Sequence, residues 1–456
     1  MYTPRRMRRD EILVTPEGWL SRGDAFVSGQ HSQLTIFGGI PGELAKVGIF
    51  DRVAHQARGR WLGSERPSPE RVAVPCQHYG RCGGCPWMHL SAAGQARAHR
   101  WLIVEALRAA QVDVPVAPIV VSAGADVVHS LELVAGWSDQ RHFRLGMAAR
   151  EGRGIVPVPD CLKVTSTLRG LMTVATWEFS EAQVRPFDGR SGALKGLFAW
   201  QSPQGEVLVV IDVAKSFPVF GEIADRLAER IPAIRGVLAR MPEGHTKRLY
   251  GDQQLDVEMN GLRLRLGADE VPVNPVAAER MLADLPEQLG IAEGDAVIDV
   301  GAGVGVRTCA LGRGSGWAFG LEADPALVLR ARENAARNNV TAEFVPGSPV
   351  AELTDARARF AGRRPLVHVD LGRKSLDDEL RAALRALDPR RVAFTAVNPV
   401  ALAMELARWV GTGWTPLGVT PYDIAVHGPL GAAVAVVASP DASAPSLRAP
   451  RRRKVA

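Results

Sequence analysis

At 456 residues, the chain is too long for one ordinary core, and its 46% hydrophobic and 23% charged residues are the balance of a soluble globular protein of several domains. The net charge is +6 and arginine far outnumbers lysine, which suits a polyanionic partner without demanding one. No run reaches the ~18–20 apolar residues that cross a bilayer, and no apolar core follows the basic start MYTPRRMRRD, so neither a membrane span nor a secretory signal is expected and the location reads as cytoplasmic.

In chain order, residues 10–66 alternate short apolar runs with glycine turns (GWLSRGDAFVSG, HSQLTIFGGIPGELAKVGIF, DRVAHQARGRWLG) and predict a small β-barrel. The proline-rich RPSPERVAVP then breaks the pattern ahead of a cysteine group, and a helix is expected from Ala92 to about Arg108. Residues 113–265 read as β-rich, with VPVAPIVVS, LELVAGW, RHFRLGMAAR, GEVLVVIDVA and GVLARM as strands. From about 295 strand, glycine loop and helix alternate, which predicts a doubly wound α/β domain with strands in AVIDVGAG, WAFGLEAD, AEFVPGS, PLVHVDLG, RVAFTAVNP and AAVAVVAS. The expected units are 1–66 (barrel), 67–265 (cysteine segment and central domain), 266–440 (α/β domain) and 441–456 (a disordered basic tail).

Three of the five cysteines crowd into Cys76-x5-Cys82-x2-Cys85. In a reducing compartment such crowding reads as metal ligation rather than disulfides. Gly83 and Gly84 let the backbone turn between two ligands, and Cys161 is available as a fourth on a distant element. Zinc and [4Fe–4S] both accept four thiolates; three local ligands and one remote ligand favour iron–sulfur over paired zinc knuckles. The C-x3-C-x2-C spacing of radical chemistry is absent. Cys309 reads as an inert core residue.

In AVIDVGAGVGV, Asp299, Gly301, Gly303 and Gly305 follow a strand and precede a helix, so the backbone can approach a ligand closely. Glu322 ends the next strand, where a carboxylate takes the two hydroxyls of a ribose. The loop is G-x-G-x-G rather than G-x-G-x-x-G, which fits S-adenosylmethionine (SAM) better than a dinucleotide.

Together these features resemble the TRAM-domain, [4Fe–4S]-containing uracil-C5 RNA methyltransferases over nearly the whole chain. IFGGIPGE (36–43) is similar to the TRAM signature, SPERVAVPCQHYGRCGGCPWMHLSAAGQ to the cluster segment including Gln95, VPVNPVAAERML to the segment before the catalytic domain, and VIDVGAGVGV to the SAM loop. The resemblance implies a TRAM (OB-like) barrel that contacts RNA, a [4Fe–4S] cluster on Cys76, Cys82, Cys85 and Cys161, and a class I methyltransferase domain. It also implies SAM as cofactor, an rRNA or tRNA as partner, and a monomer. Asp370 enters the SAM site with the resemblance, from Asp370-Leu-Gly-Arg373 in place of Asp-Pro-Pro-Arg.

Ala396-Val397-Asn398-Pro399 stands where the family has Ser-Cys-Asn-Pro. That cysteine adds to uracil C6 so that C5 can accept a methyl group, and a base then removes the C5 proton. Here the nucleophile position is Val397 and the base position falls near Ala432. Pro272 replaces a SAM-contacting glutamine, and about Ser348 stands in place of an asparagine beside adenine. Asp423 and His427, in PYDIAVHGP, lie where family residues approach the target base. Three readings follow: an RNA-binding member whose C5 chemistry lacks its nucleophile, a non-catalytic RNA-binding protein, or a methyltransferase for another atom that needs no cysteine.

Overall fold

The computed structural model describes residues 10–30, 32–121, 128–138, 142–152, 154–360 and 362–441. The basic start, up to residue 9, and the expected basic tail, from 442 onward, lie outside the described residues.

The first sheet comprises β1 (Asp10–Val14), β2 (Gly18–Trp19), β3 (Ala25–Ser28), β4 (Gln33–Phe37), β5 (Leu44–Val53) and β6 (Gln56–Arg66), in the order β1-β5-β6-β4-β3-β2. Only β4 and β6 run parallel. Its apolar face (Ala25, Ile36, Ala45, Val47) buries against Trp87 of the cysteine segment. Glu43, at the end of IFGGIPGE, is buried and paired with Arg71, whose guanidinium also donates to Gly38 O at 2.9 Å. That polar anchor fixes the sheet to the chain leading into the cysteines. Helix α1 (Ala92–Ala109) follows, with Ser91 Oγ capping Gly94 N at 3.0 Å.

The central sheet is formed by β7 (Ser130–Trp137), β8 (Phe143–Ala148), β9 (Ile155–Val156), β10 (Leu194–Gln201), β11 (Val207–Val213), β12 (Ile234–Arg240) and β13 (Thr246–Gly251), in the order β13-β12-β11-β10-β7-β8-β9. Two helices cover it, α2 (Ser166–Glu181) and α3 (Val219–Arg230), which the β-rich expectation for this region misses. In α2 the buried residues Leu168, Leu171, Met172, Ala175 and Phe179 recur at helical spacing, a period that the neighbouring strand-like runs obscure. VPVAPIVVS also differs from expectation. Over 114–121 it makes only isolated bridges, Val116 to Val419 and Val120 to Tyr422, because Pro115 and Pro118 supply no N–H for a continuous ladder. A hairpin of β14 (Gln254–Met259) and β15 (Leu262–Gly267) comes next, and Asn260-Gly261 turns it with φ of 51° and 66°.

The last unit runs α4 (Pro275–Leu289), β16 (Val297–Val300), α5 (Val306–Ser315), β17 (Ala318–Glu322), α6 (Pro325–Arg337), β18 (Ala342–Pro346), α7 (Pro349–Arg359), β19 (Leu366–Gly372), α8 (Asp378–Ala386), β20 (Arg391–Ala396), α9 (Pro399–Val410), β21 (Thr415–Asp423) and β22 (Gly431–Ala438). The strand order is β18-β17-β16-β19-β20-β22-β21, parallel through β20 and antiparallel for the last two pairs. The expected alternation is present. The added strand, β21, carries Pro416 and Pro421, which hide it from a propensity reading. The winding reverses between β16 and β19, and in sheets of this kind ligands bind in the crevice outside the carboxyl ends of the strands at such a reversal. No helix among the described residues is long and apolar enough to cross a membrane.

Candidate functional site

At the crevice, Gly301, Gly303 and Gly305 have φ of 79°, 56° and 81°, left-handed values that side chains resist. A Cβ on Gly305 would meet Ala331 Cβ at 3.0 Å and Phe344 Cζ at 3.1 Å, so its absence lets the loop seat on α6 and β18. A Cβ on Gly303 would meet nothing within 4 Å, so this part of the loop faces open space. Gly303 N donates to Glu322 Oε2 at 2.9 Å and Asp324 N donates to Glu322 Oε1 at 3.0 Å. The carboxylate is thus held across the loop, and each oxygen keeps a lone pair for a ligand hydroxyl. Asp370, exposed at the end of β19, pairs with Arg307 and accepts from Gly372 N at 3.0 Å.

Asp299 has a different place from the one its position in the loop suggests. It lies beneath the loop with no exposed surface, and its oxygens accept from Thr308 Oγ1 at 2.5 Å and bond His368 Nδ1 at 2.7 Å. His368 Nε2 continues the chain to Thr395 Oγ1 at 2.8 Å. Burial works to raise the Asp299 carboxyl, but the His368 bond and the nearby Arg307 charge outweigh it and leave it below the ordinary value. Burial lowers His368 despite the Asp299 charge, so the pair is carboxylate and neutral imidazole. Asp299 therefore supports the loop from below instead of touching a ligand.

On the neighbouring strand ends, Val397 and Ala432 line one cavity of about 20 Å³ with His99, Ile103, Pro399 and Pro429. A space of that size holds about one water. His99, on α1, is buried; its Nε2 makes no hydrogen bond and lies 3.5 Å from Asp423 Oδ1. His427 faces elsewhere: its Nδ1 lies 3.1 Å from Gln95 Nε2, and its backbone oxygen accepts from Trp87 N at 2.9 Å. Asp423 and His427 thus serve different partners. Cys309 is wholly buried in the core, and burial pushes its thiol up to about 12.

Cys76, Cys82, Cys85 and Cys161 line a single cavity of about 50 Å³, walled by Val128, Leu131, Met147 and Val164. Asp160, beside Cys161, ties the two cysteine segments together: it bonds His78 Nε2 and Gln77 Nε2, each at 2.6 Å. Gly83 is required by close approach rather than by turning, since a Cβ there would meet Ala148 O at 3.0 Å. Burial pushes the Cys85 thiol up to about 11 and raises Cys82 in the same direction. Among the described residues, no group of three His, Cys, Asp or Glu side chains stands in position to hold a metal ion, so the thiols surround the cavity without converging on one point.

No protein-family model matches the chain. It is 24% identical over 441 residues to an uncharacterized RNA methyltransferase of Caldanaerobacter subterraneus, covering 91% of this chain and 94% of that protein. It is 26% identical over 419 residues to the 23S rRNA (uracil(1939)-C(5))-methyltransferase of Aeromonas salmonicida, covering 88% and 90%. The fold matches that of the tRNA (uracil-54, C5)-methyltransferase of Pyrococcus abyssi, solved with S-adenosyl-L-homocysteine, with a TM-score of 0.68 and 17% identity over 93% of this chain and 100% of that one. The chain is thus similar along most of its length to RNA methyltransferases, a uracil-C5 enzyme among them, and shares its fold with a second uracil-C5 enzyme.

Two residues of the site, His99 and Arg307, escape a sequence reading, and a third, His368, does not. His99 sits in a helix otherwise legible only as amphipathic, and its cavity forms from β20 and β22, some 300 residues on. Arg307 sits in the first turn of α5 and meets Asp370 only through the fold. His368 was the detectable one, a polar residue inside the apolar run PLVHVDLG.

Proposed function

We propose that this protein binds SAM and RNA but does not methylate uracil C5 through a covalent enzyme–RNA adduct. One observation carries the reading: Val397 and Ala432, at the nucleophile and base positions of the family resemblance, line one cavity, and neither side chain can attack a carbon or take a proton. SAM, when bound, supplies an electrophilic methyl group. Gly301, Gly303 and Gly305 cradle it, Glu322 takes the ribose hydroxyls, Asp370 lies beside it, and Asp299 holds the loop. The partner is an rRNA or a tRNA, in keeping with the RNAs named for its relatives.

The four cysteines fit a [4Fe–4S] cluster by donor chemistry, four thiols around one apolar-walled cavity. We read the first sheet as the TRAM barrel that helps hold RNA, with functional units at 1–66, 67–265 and 266–440.

A second reading has one observation in its favour. His99 Nε2 is buried without a hydrogen bond beside Asp423, which suits a base for transfer to nitrogen or oxygen. Labelled methyl transfer from SAM to total RNA, using anaerobically purified protein, separates the two. The first reading expects SAM binding without 5-methyluridine, and formation of 5-methyluridine overturns it. Methyl label at another atom, lost in His99→Ala, establishes the second reading.

A further inference from the structure

We infer that Trp137 and the arginines around it form a docking cleft for single-stranded RNA, with an unpaired base stacked on the indole. The inference rests on the reading that the protein binds RNA and names where an unpaired stretch lies.

Trp137 ends β7 and is 50% exposed. The other nine tryptophans are each buried or in contact with another ring or with an arginine; Trp177, nearly as exposed, has Arg230 at 4.4 Å. Among the described residues Trp137 has no such partner. A large apolar face left open to water in this way marks a contact surface.

Trp137 lies between two open clefts of about 510 Å³ each, and both are also lined by Arg144. Arg60 and Arg81 stand in one cleft, His142 and Arg185 in the other. Arg60 of β6 pairs with Glu151, and this contact bridges the first and central sheets. Arg81, Arg144 and Arg185 make no ion pair with another described residue, so among the described residues lining the two clefts three cations flank the indole against one already paired carboxylate, Glu151. Phosphates alone need only the cations. The indole between them selects a nucleobase, and only an unpaired base offers its face. A duplex or a simple polyanion would leave Trp137 unused.

The test uses the full chain and labelled oligouridine, with an abasic ribose-phosphate oligomer of equal length and a duplex as controls. Trp137→Ala should weaken oligouridine binding roughly tenfold, the usual scale for a lost base–aromatic stack. It should leave abasic binding unchanged, and Trp137→Phe should retain most of the affinity. Arg81→Gln with Arg185→Gln should weaken both single strands and reduce the salt dependence. Melting curves confirm that each variant is folded. Wild type that binds oligouridine while Trp137→Ala binds it equally well overturns the cleft and leaves RNA binding intact. Equal losses on the abasic oligomer, or preference for the duplex, overturn the stack. Wild type that binds no RNA overturns both readings.

Discussion

Val397 and Ala432 line the same small cavity, although 35 positions separate them in the sequence, because β20 and β22 are paired neighbours. The fold therefore brings together the two positions to which the family resemblance assigns nucleophile and base, and both carry side chains that can neither attack nor accept a proton. His99 Nε2, from α1, is the buried polar atom in that space without a hydrogen bond.

The cofactor loop makes the first prediction. Glu322→Ala removes the acceptor for Gly303 N, and Gly303→Val forces a β-branched residue to φ 56°. Each change should weaken S-adenosylhomocysteine binding by about tenfold or more in calorimetry, in line with the ~1.5–3 kcal/mol of a charge-assisted hydrogen bond. Unchanged affinity in both variants would move the cofactor elsewhere.

The thiol cavity makes the second. Protein purified without oxygen should be brown, with about four irons per chain. Cys161→Ser should reduce the iron content, whereas Cys309→Ser should not, since that thiol is sealed in the core. Colourless protein holding one zinc would contradict the cluster.

Acid sensitivity follows from two buried histidines. Burial lowers His89 to about 3, and His368 is lowered by burial as well. Below the ordinary histidine value of 6.5 the unfolded chain binds protons that these folded imidazoles do not. Stability should therefore fall as pH drops from 6.5, by up to about 1.4 kcal/mol per pH unit for each histidine. Asp299, held low, adds to the same trend only below its ordinary 3.8. Denaturant midpoints at pH 7.5, 6 and 5 measure this, and His89→Asn should flatten the slope. A midpoint independent of pH would show that these imidazoles are protonated in the folded protein.

Much of this layout was legible in the sequence, for reasons tied to particular residues. The α/β unit announced itself because glycine loops punctuate apolar strands, and the loop glycines and Glu322 fell where the strand ends place them. The cysteines were legible as a group, and the fold gathers all four around one cavity. Helices α2 and α3 were missed because apolar strand runs surround them. Asp299 was placed beside the ligand because sequence gives its neighbours but not its depth; Thr308 and His368, which bury its charge, meet it only in three dimensions. His99 and Arg307 were missed for the same reason, since their partners are distant in the chain.

Trapping on RNA substituted with 5-fluorouracil reveals any covalent step at uracil C6. A thiolate that adds to C6 stays linked to such RNA, because fluorine at C5 blocks the final proton removal. The wild-type chain, incubated with SAM and this RNA, should migrate as free protein on a denaturing gel. Val397→Cys is the matched control for whether the cavity can still open to the base. A covalent band with the wild-type protein would overturn the proposed absence of an adduct, since it would require a nucleophile that Val397 does not supply.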